Sequence, residues 1–197
     1  MTVDPLAIAG LIDPARIRDL AWRLASTPSP TSDTEEVAPV YAEALRSAGL
    51  DVEILHPLPE HPRDAVVVGR LQRADGAPTL EFNGHLDHVD VPHPAPRWEG
   101  DRLVARGAAD MKGAMAAFAE AARVLALPET GLSGNLLVVA HGMHEAPIGH
   151  GEDLQALDKR LQEGHPDRTE FRADAYAGLI AGASGLDWYS LEYAVGL

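Results

Sequence analysis

The chain contains no cysteine. This removes disulfides, thiolate nucleophiles and sulfur-ligated zinc, so any metal must be held by histidine, aspartate, glutamate or carbonyl oxygen. Basic residues are scarce as well: 16 lysines and arginines stand against 30 acidic residues, a formal net charge of -14. So negative a surface repels phosphate backbones and the anionic face of a membrane, which argues against nucleic acid and membrane as partners. Long apolar runs are also missing, and no stretch approaches the ~20 residues of a membrane span. The opening "MTVDPLAIAGLIDPARIRDLAWRLAS" has no basic lead and carries Asp4, Asp13 and Asp19, unlike a secretory signal. The expectation is a soluble, cytoplasmic protein. The 197 residues are 46% hydrophobic and 23% charged, an ordinary globular composition for one substantial domain.

The pattern along the chain alternates between helical and extended periods. "DPARIRDLAWRLA" reads as a helix with Asp13 as N-cap and Pro14 in the first turn. After the turn-rich "STPSPTSD", a second helix runs through "TEEVAPVYAEALRSAGL", closed by Gly49 as a left-handed cap, with Pro39 shifting its start. "DVEIL", "DAVVVGRL", "PTLEFNGH" and "GNLLVVAHG" read as strands, and the turn residues in "QRADGAP" suggest that the second and third lie side by side. "MKGAMAAFAEAARVLAL" is the clearest helix, ended by Pro128. This alternation implies an α/β fold: a three-layer mixed sheet with flanking helices. Beyond Leu157 the pattern weakens to one candidate helix near "RADAYAGLIAGA", with no readable strand.

Two polar clusters follow strand patterns, where ligands gather in α/β sheets, and a third lies just before the alanine-rich helix. In "GHLDHVD", His85 and Asp87 are two apart and point the same way in an extended segment, so the carboxylate can orient the imidazole. In "ARGAADMKG", Asp110 stands ready to bridge divalent cations. In "HGMHEAPIGHG", His144 and Glu145 form an acid–imidazole pair. A zinc-protease helix is excluded there, because His150 lies beyond one helical turn and Pro147 and Gly149 break any helix. Taken singly, each cluster also fits an ordinary role: a strand-end pair making surface hydrogen bonds, a helix cap at Asp110, loop histidines. His88, His93, His141 and His150 are read as loop or supporting residues, and Arg106 and Lys112 as helix or ion-pair residues.

Together the segments resemble a known family. "NGHLDHVDVP", Trp98, "RGAADMKGAMAAFAEAARVL" and the later acidic pair, with "TPSPTSDTEE" and "LRSAGLDVEIL" upstream, resemble the two-zinc aminoacylase and carboxypeptidase family that includes acetylornithine deacetylase and succinyl-diaminopimelate desuccinylase. The resemblance implies a partial zinc-exopeptidase-like catalytic domain. It implies His85 as ligand of one zinc, Asp87 as its orienting carboxylate, Asp110 as the bridge and Glu145 as ligand of the other zinc. His144 stands where the family has a glutamate that takes a proton from water, and is carried as candidate base, with the opposite division between His144 and Glu145 left open.

The implied activity is hydrolysis of the amide bond of N-acyl amino acids or small peptides by metal-activated water, with zinc as cofactor and cobalt or manganese as substitutes. A full-length form is expected to be a homodimer. Residues 1–157 match the N-terminal part of such a catalytic domain. Residues 158–197 do not resemble the rest of it, no lid or dimerisation domain is read there, and His165, Asp174 and Asp187 carry no ligand motif. The expectation is therefore a truncated chain. A single-metal hydrolase using His85, Asp110 and Glu145, or an inactive fragment, remain alternatives.

Overall fold

The computed structural model describes residues 5–157 and 170–172. After a short helix α1 (Pro5–Ala9) come α2 (Pro14–Ser26) and α3 (Val37–Ser47), then strands β1 (Asp51–Leu55), β2 (Val66–Leu71) and β3 (Thr79–His85). A small hairpin, β4 (Arg97–Glu99) and β5 (Arg102–Val104), leads into an irregular turn at Ala108–Lys112 and the helix α4 (Gly113–Ala126). Strands β6 (Asn135–His141) and β7 (Glu170–Arg172) complete the main sheet.

Local signals act where they are placed. The Asp13 carboxylate accepts the Ala15 N–H and caps α2, with Pro14 in its first turn. Gly49 takes φ 90° just past α3, whose start is Val37 rather than the preceding Thr-Glu-Glu. The alanine-rich helix starts at Gly113, because the backbone of Asp110 and Met111 is not helical.

The sheet order is β1-β2-β6-β3-β7. β1 and β2 are antiparallel, as are β2 and β6, whereas β6, β3 and β7 run parallel. The expected adjacency of β2 and β3 is therefore incorrect: β6 lies between them. The reason is burial. "NLLVVAH" is buried at every position and demands the centre of the sheet, so the turn residues at 72–78 connect strands that are not neighbours. β7 likewise corrects the expectation of no strand beyond Leu157. The candidate helix near "RADAYAGLIAGA" lies mostly outside the described residues, as do His165, Asp174 and Asp187.

Both sheet faces are covered, the basis of the three layers. Leu136, Val138 and Ala140 alternate with Leu137 and Val139 along β6. The first set joins Val67 and Phe82 under α2, α3 and α4, around Tyr41, Leu45, Met115 and Phe118. The second set joins Val66 and Val68 under Leu154 and Leu157 from the helical residues 152–157. Gly84 permits a close approach: a Cβ there would sit 2.6 Å from both Met111 Cε and Met115 Sδ, so a side chain would have to push these methionines aside where α4 starts over β3.

A candidate metal centre at the ends of two parallel strands

β3 and β6 pair in parallel with His85 opposite His141, and the Leu86 N–H donates to the His141 carbonyl at 2.8 Å. Their C-terminal ends therefore emerge side by side, bringing the "GHLD" segment against residues 144 and 145. The third segment reaches the same place through Lys112. Its Nζ is buried and donates to the carbonyls of Leu24 and Thr27, at 2.9 Å and 3.0 Å, capping the C-terminus of α2. Burial lowers this lysine to about 8. Its role is thus helix capping, with no ion pair among the described residues.

His85 Nε2 lies 3.1 Å from Asp110 Oδ1, and His85 Nδ1 lies 3.1 Å from Asp87 Oδ1. His85 and Asp87 are 1% and 0% exposed, which rules out the reading of them as a surface hydrogen-bonding pair. Asp110 makes no capping hydrogen bond to the turn or helix that follows, so the cap reading fails too. Its side chain remains 65% exposed, open to an incoming ion. One donor atom each from His85, Asp110 and Glu145 lies within 4.8 Å of the others.

Asp87 ties the segments together. Its second oxygen accepts the backbone N–H of His144 at 3.3 Å and of Glu145 at 3.0 Å. The side chain of His144 takes another position: exposed, stacked on the His85 ring with centroids 4.2 Å apart, and edge-on to His141.

Charge follows geometry. Burial alone would lower the His85 imidazole, but hydrogen bonds to Asp110 and Asp87 outweigh it and carry it up to about 9. Burial would raise Asp87, yet the bond and charge of His85 and the Glu145 N–H hold it below the usual carboxylate range. Asp110 is lowered by its hydrogen bond to His85. Glu145 is raised, by burial and by the nearby Asp110 charge. His144 is lowered, by burial and by its histidine neighbours, so it is neutral near pH 7.

Beneath this cluster sits a second polar layer with no sequence motif. Asp64 and Asp153 are fully buried; Asp153 accepts the Gly142 N–H at 2.7 Å and lies 3.5 Å from His141 Nδ1. Burial and Asp153 push Asp64 up to about 7. His88 is also structural: its Nε2 accepts the Ser29 N–H at 3.2 Å. His93 and His150 are exposed, as loop residues are.

The donor set suits a divalent cation. Imidazole and carboxylates from three segments converge, and the second nitrogen of the histidine is held by a buried carboxylate, the usual arrangement behind a metal-ligating histidine. The model for peptidase family M20/M25/M40 matches residues 82–196. The chain belongs to this family. The match takes in the stretch beyond Leu157, which by itself had shown no resemblance, and it bears out the family read from the three segments.

Among curated relatives, the chain is 29% identical to the succinyl-diaminopimelate desuccinylase of Bordetella petrii over 157 residues, covering 75% of this chain and 40% of that one. It is 34% identical to the Zymomonas mobilis desuccinylase over 144 residues, covering 68% and 36%. The chain thus spans less than half the length of these curated relatives. Two solved structures share the fold. A di-peptidase from Saccharomyces cerevisiae aligns with a TM-score of 0.66 at 18% identity, over 84% of this chain and 39% of that one. Human carnosine dipeptidase 1 aligns at 0.62 and 18%, over 85% and 40%. Among the described residues no helix is long and apolar enough to cross a membrane.

Proposed function

We propose that this chain forms the metal-holding part of a hydrolase that cleaves the amide bond of N-acyl amino acids or small peptides. The observation that carries the reading is the meeting of His85, Asp110 and Glu145 within 4.8 Å, backed by Asp87. Membership of a peptidase family whose matched relatives include desuccinylases supports the choice of amide substrates.

In this reading His85, Asp110 and Glu145 hold zinc, with cobalt or manganese as substitutes. When bound, the ion polarises the scissile carbonyl and lowers the pKa of water toward neutrality. Asp87 keeps the His85 proton on Nδ1 and leaves Nε2 free as a donor to the ion. His144, neutral and exposed beside the cluster, takes a proton from the attacking water and delivers it to the departing nitrogen as the carbon–nitrogen bond breaks. A carboxylate and a free amine result.

In this reading residues 1–157 are the N-terminal part of the catalytic domain. Three protein donors suffice for a single catalytic zinc, whereas a pair of ions needs donors beyond these three. The test is metal analysis of the purified chain together with amine release from N-acetyl and N-succinyl amino acids. One or two zincs per chain, with release abolished by chelator and restored by zinc, is the expected result. Absence of bound metal at micromolar zinc overturns the proposal.

A further inference from the structure

The turn that leaves β6 and carries His144 and Glu145 is held by its backbone. Its successive N–H groups, from residue 142 to residue 145, are all taken by two carboxylates. Asp153 Oδ2 accepts from Gly142 at 2.7 Å and from Met143 at 3.2 Å. Asp87 Oδ2 accepts from His144 at 3.3 Å and from Glu145 at 3.0 Å. Carbonyls of the turn are engaged as well: the Gly151 N–H donates to Met143 at 2.6 Å and the Gly149 N–H to Glu145 at 2.8 Å. A Cβ on Gly149 would lie 2.5 Å from the Met143 carbonyl carbon, so the loop returns against the turn at backbone distance.

The two carboxylates are matched. Both are 0% exposed, and each places one oxygen on two neighbouring N–H groups. Each turns its other oxygen toward Nδ1 of a histidine that ends a strand: Asp87 to His85 at 3.1 Å, Asp153 to His141 at 3.5 Å. The parallel register sets His85 opposite His141, so the pairs stand side by side. Their origins differ. Asp87 follows β3 directly, whereas Asp153 comes from the helical residues 152–157, whose Leu154 and Leu157 pack on the other face of the sheet.

Capping its own helix does not account for Asp153. Its Oδ1 accepts the Leu154 N–H at 2.8 Å, but Oδ2 goes to the turn. A buried carboxylate is costly unless it is well bonded. Burial opposes its ionisation, yet His141 and the Gly142 and Leu154 N–H groups outweigh burial and hold it below the usual carboxylate range. An ionised acceptor makes hydrogen bonds roughly twice as strong as a neutral one, which suits a backbone that must not shift.

We infer that Asp153 is a positioning residue of the metal centre: it fixes Gly142 and Met143 so that the next two N–H groups meet Asp87 and Glu145 is presented to the ion. The inference rests on the proposed zinc site and adds to it a residue that acts through the backbone from the opposite face of the sheet.

The experiment measures zinc affinity by chelator competition, well below the melting temperature of every variant. Asp153→Ala should weaken binding by about tenfold or more, the scale of losing a group that orients a metal ligand. Asp153→Asn keeps an oxygen for the two N–H groups and should recover affinity to within about threefold of wild type. In a Glu145→Ala background, Asp153→Ala should change affinity by less than about twofold, because its effect passes through Glu145. Leu157→Ala, in the packed face of the same helix, is the control: it should lower the melting temperature and leave zinc affinity in place. Hydrogen exchange on wild type needs no variant. The Gly142 and Met143 amides should be protected as those of β6 are, and free exchange at either overturns the inference even where Asp153→Ala fails to fold. Absence of zinc from wild type defeats the hydrolase reading and this inference with it. With zinc bound normally by wild type, four results overturn the role of Asp153 alone: unchanged affinity in Asp153→Ala, no recovery in Asp153→Asn, an equal loss with and without Glu145, or a matching loss in Leu157→Ala.

Discussion

One carboxylate oxygen of Asp87 lies 3.1 Å from His85 Nδ1 while the other accepts the Glu145 N–H at 3.0 Å. A single buried side chain thus sets the orientation of one candidate ligand and the backbone position of another. Replacing Asp87 with alanine should weaken zinc affinity by about 10- to 100-fold, the usual consequence of losing the partner behind a metal-bound histidine. It also strands two backbone N–H groups, at a cost of roughly 1–3 kcal/mol each where they stay buried. Calorimetric zinc titration and denaturant melts check both effects; unchanged zinc affinity would remove Asp87 from the site.

The double variant His85→Ala, Asp110→Ala removes two of three donors. Zinc that co-purifies with wild type should be lost, with affinity lowered by at least ~100-fold. Elemental analysis after dialysis decides, and tight zinc retained by the double variant shows that the donors lie elsewhere.

Zinc affinity should rise with pH. In the metal-free protein His85 keeps its proton up to about 9, against an ordinary value of 6.5. The raised value stabilises the metal-free fold fully below 6.5, and this contribution fades as pH climbs through about 9. Zinc must displace the same proton, so affinity should increase by up to about tenfold per pH unit across that window. Chelator competition at a series of pH values measures the slope, and a flat profile contradicts the coupling of His85 to the ion.

Asp64 predicts a loss of stability with rising pH over a lower window. Its folded carboxyl holds a proton up to about 7, whereas the unfolded one releases it near 3.8. Between these values the folded state binds more protons, so stability falls as pH rises. Relative to Asp64→Asn, wild type should lose roughly 1–3 kcal/mol between about pH 5 and about pH 8. Parallel pH dependences in paired denaturant melts would dismiss this buried carboxyl as the cause.

Gly142 tests the packing under the site. A Cβ there would lie 2.2 Å from Asp64 Oδ1 and 2.7 Å from Thr34 Oγ1. Gly142→Ala should cost about 1–3 kcal/mol through overpacking. The double variant Gly142→Ala, Asp64→Ala should cost less than the sum of the two single changes, because the clashing carboxylate is gone. Strict additivity in a double-mutant cycle would refute the contact.

Much of the fold was legible locally. The Asp13 cap, the Gly49 turn and the alternation along the strands are decided by a few neighbouring residues, and they form where their chemistry predicts. Strand order was not legible. The turn residues between β2 and β3 signal only that the chain reverses or bends, whereas the insertion of β6 between them depends on burying "NLLVVAH" on both faces. At the site, the three polar segments could be read together, because their joint pattern resembles a known family although each alone fits an ordinary role. The clamp by Lys112 and the second oxygen of Asp87 could not. Each depends on a partner far away in the chain.

Residue identity alone therefore determined which donors exist, that none is a thiolate, and that two of the three segments stand where a strand gives way to a loop. Tertiary structure alone decided that they meet. The parallel pairing of β3 with β6 aligns His85 with His141, and the Lys112 anchor on α2 swings Asp110 over the same edge. The physical reason is range: caps and turns are settled within a few residues, but the register of distant strands is chosen by the burial of whole faces, which no short segment contains.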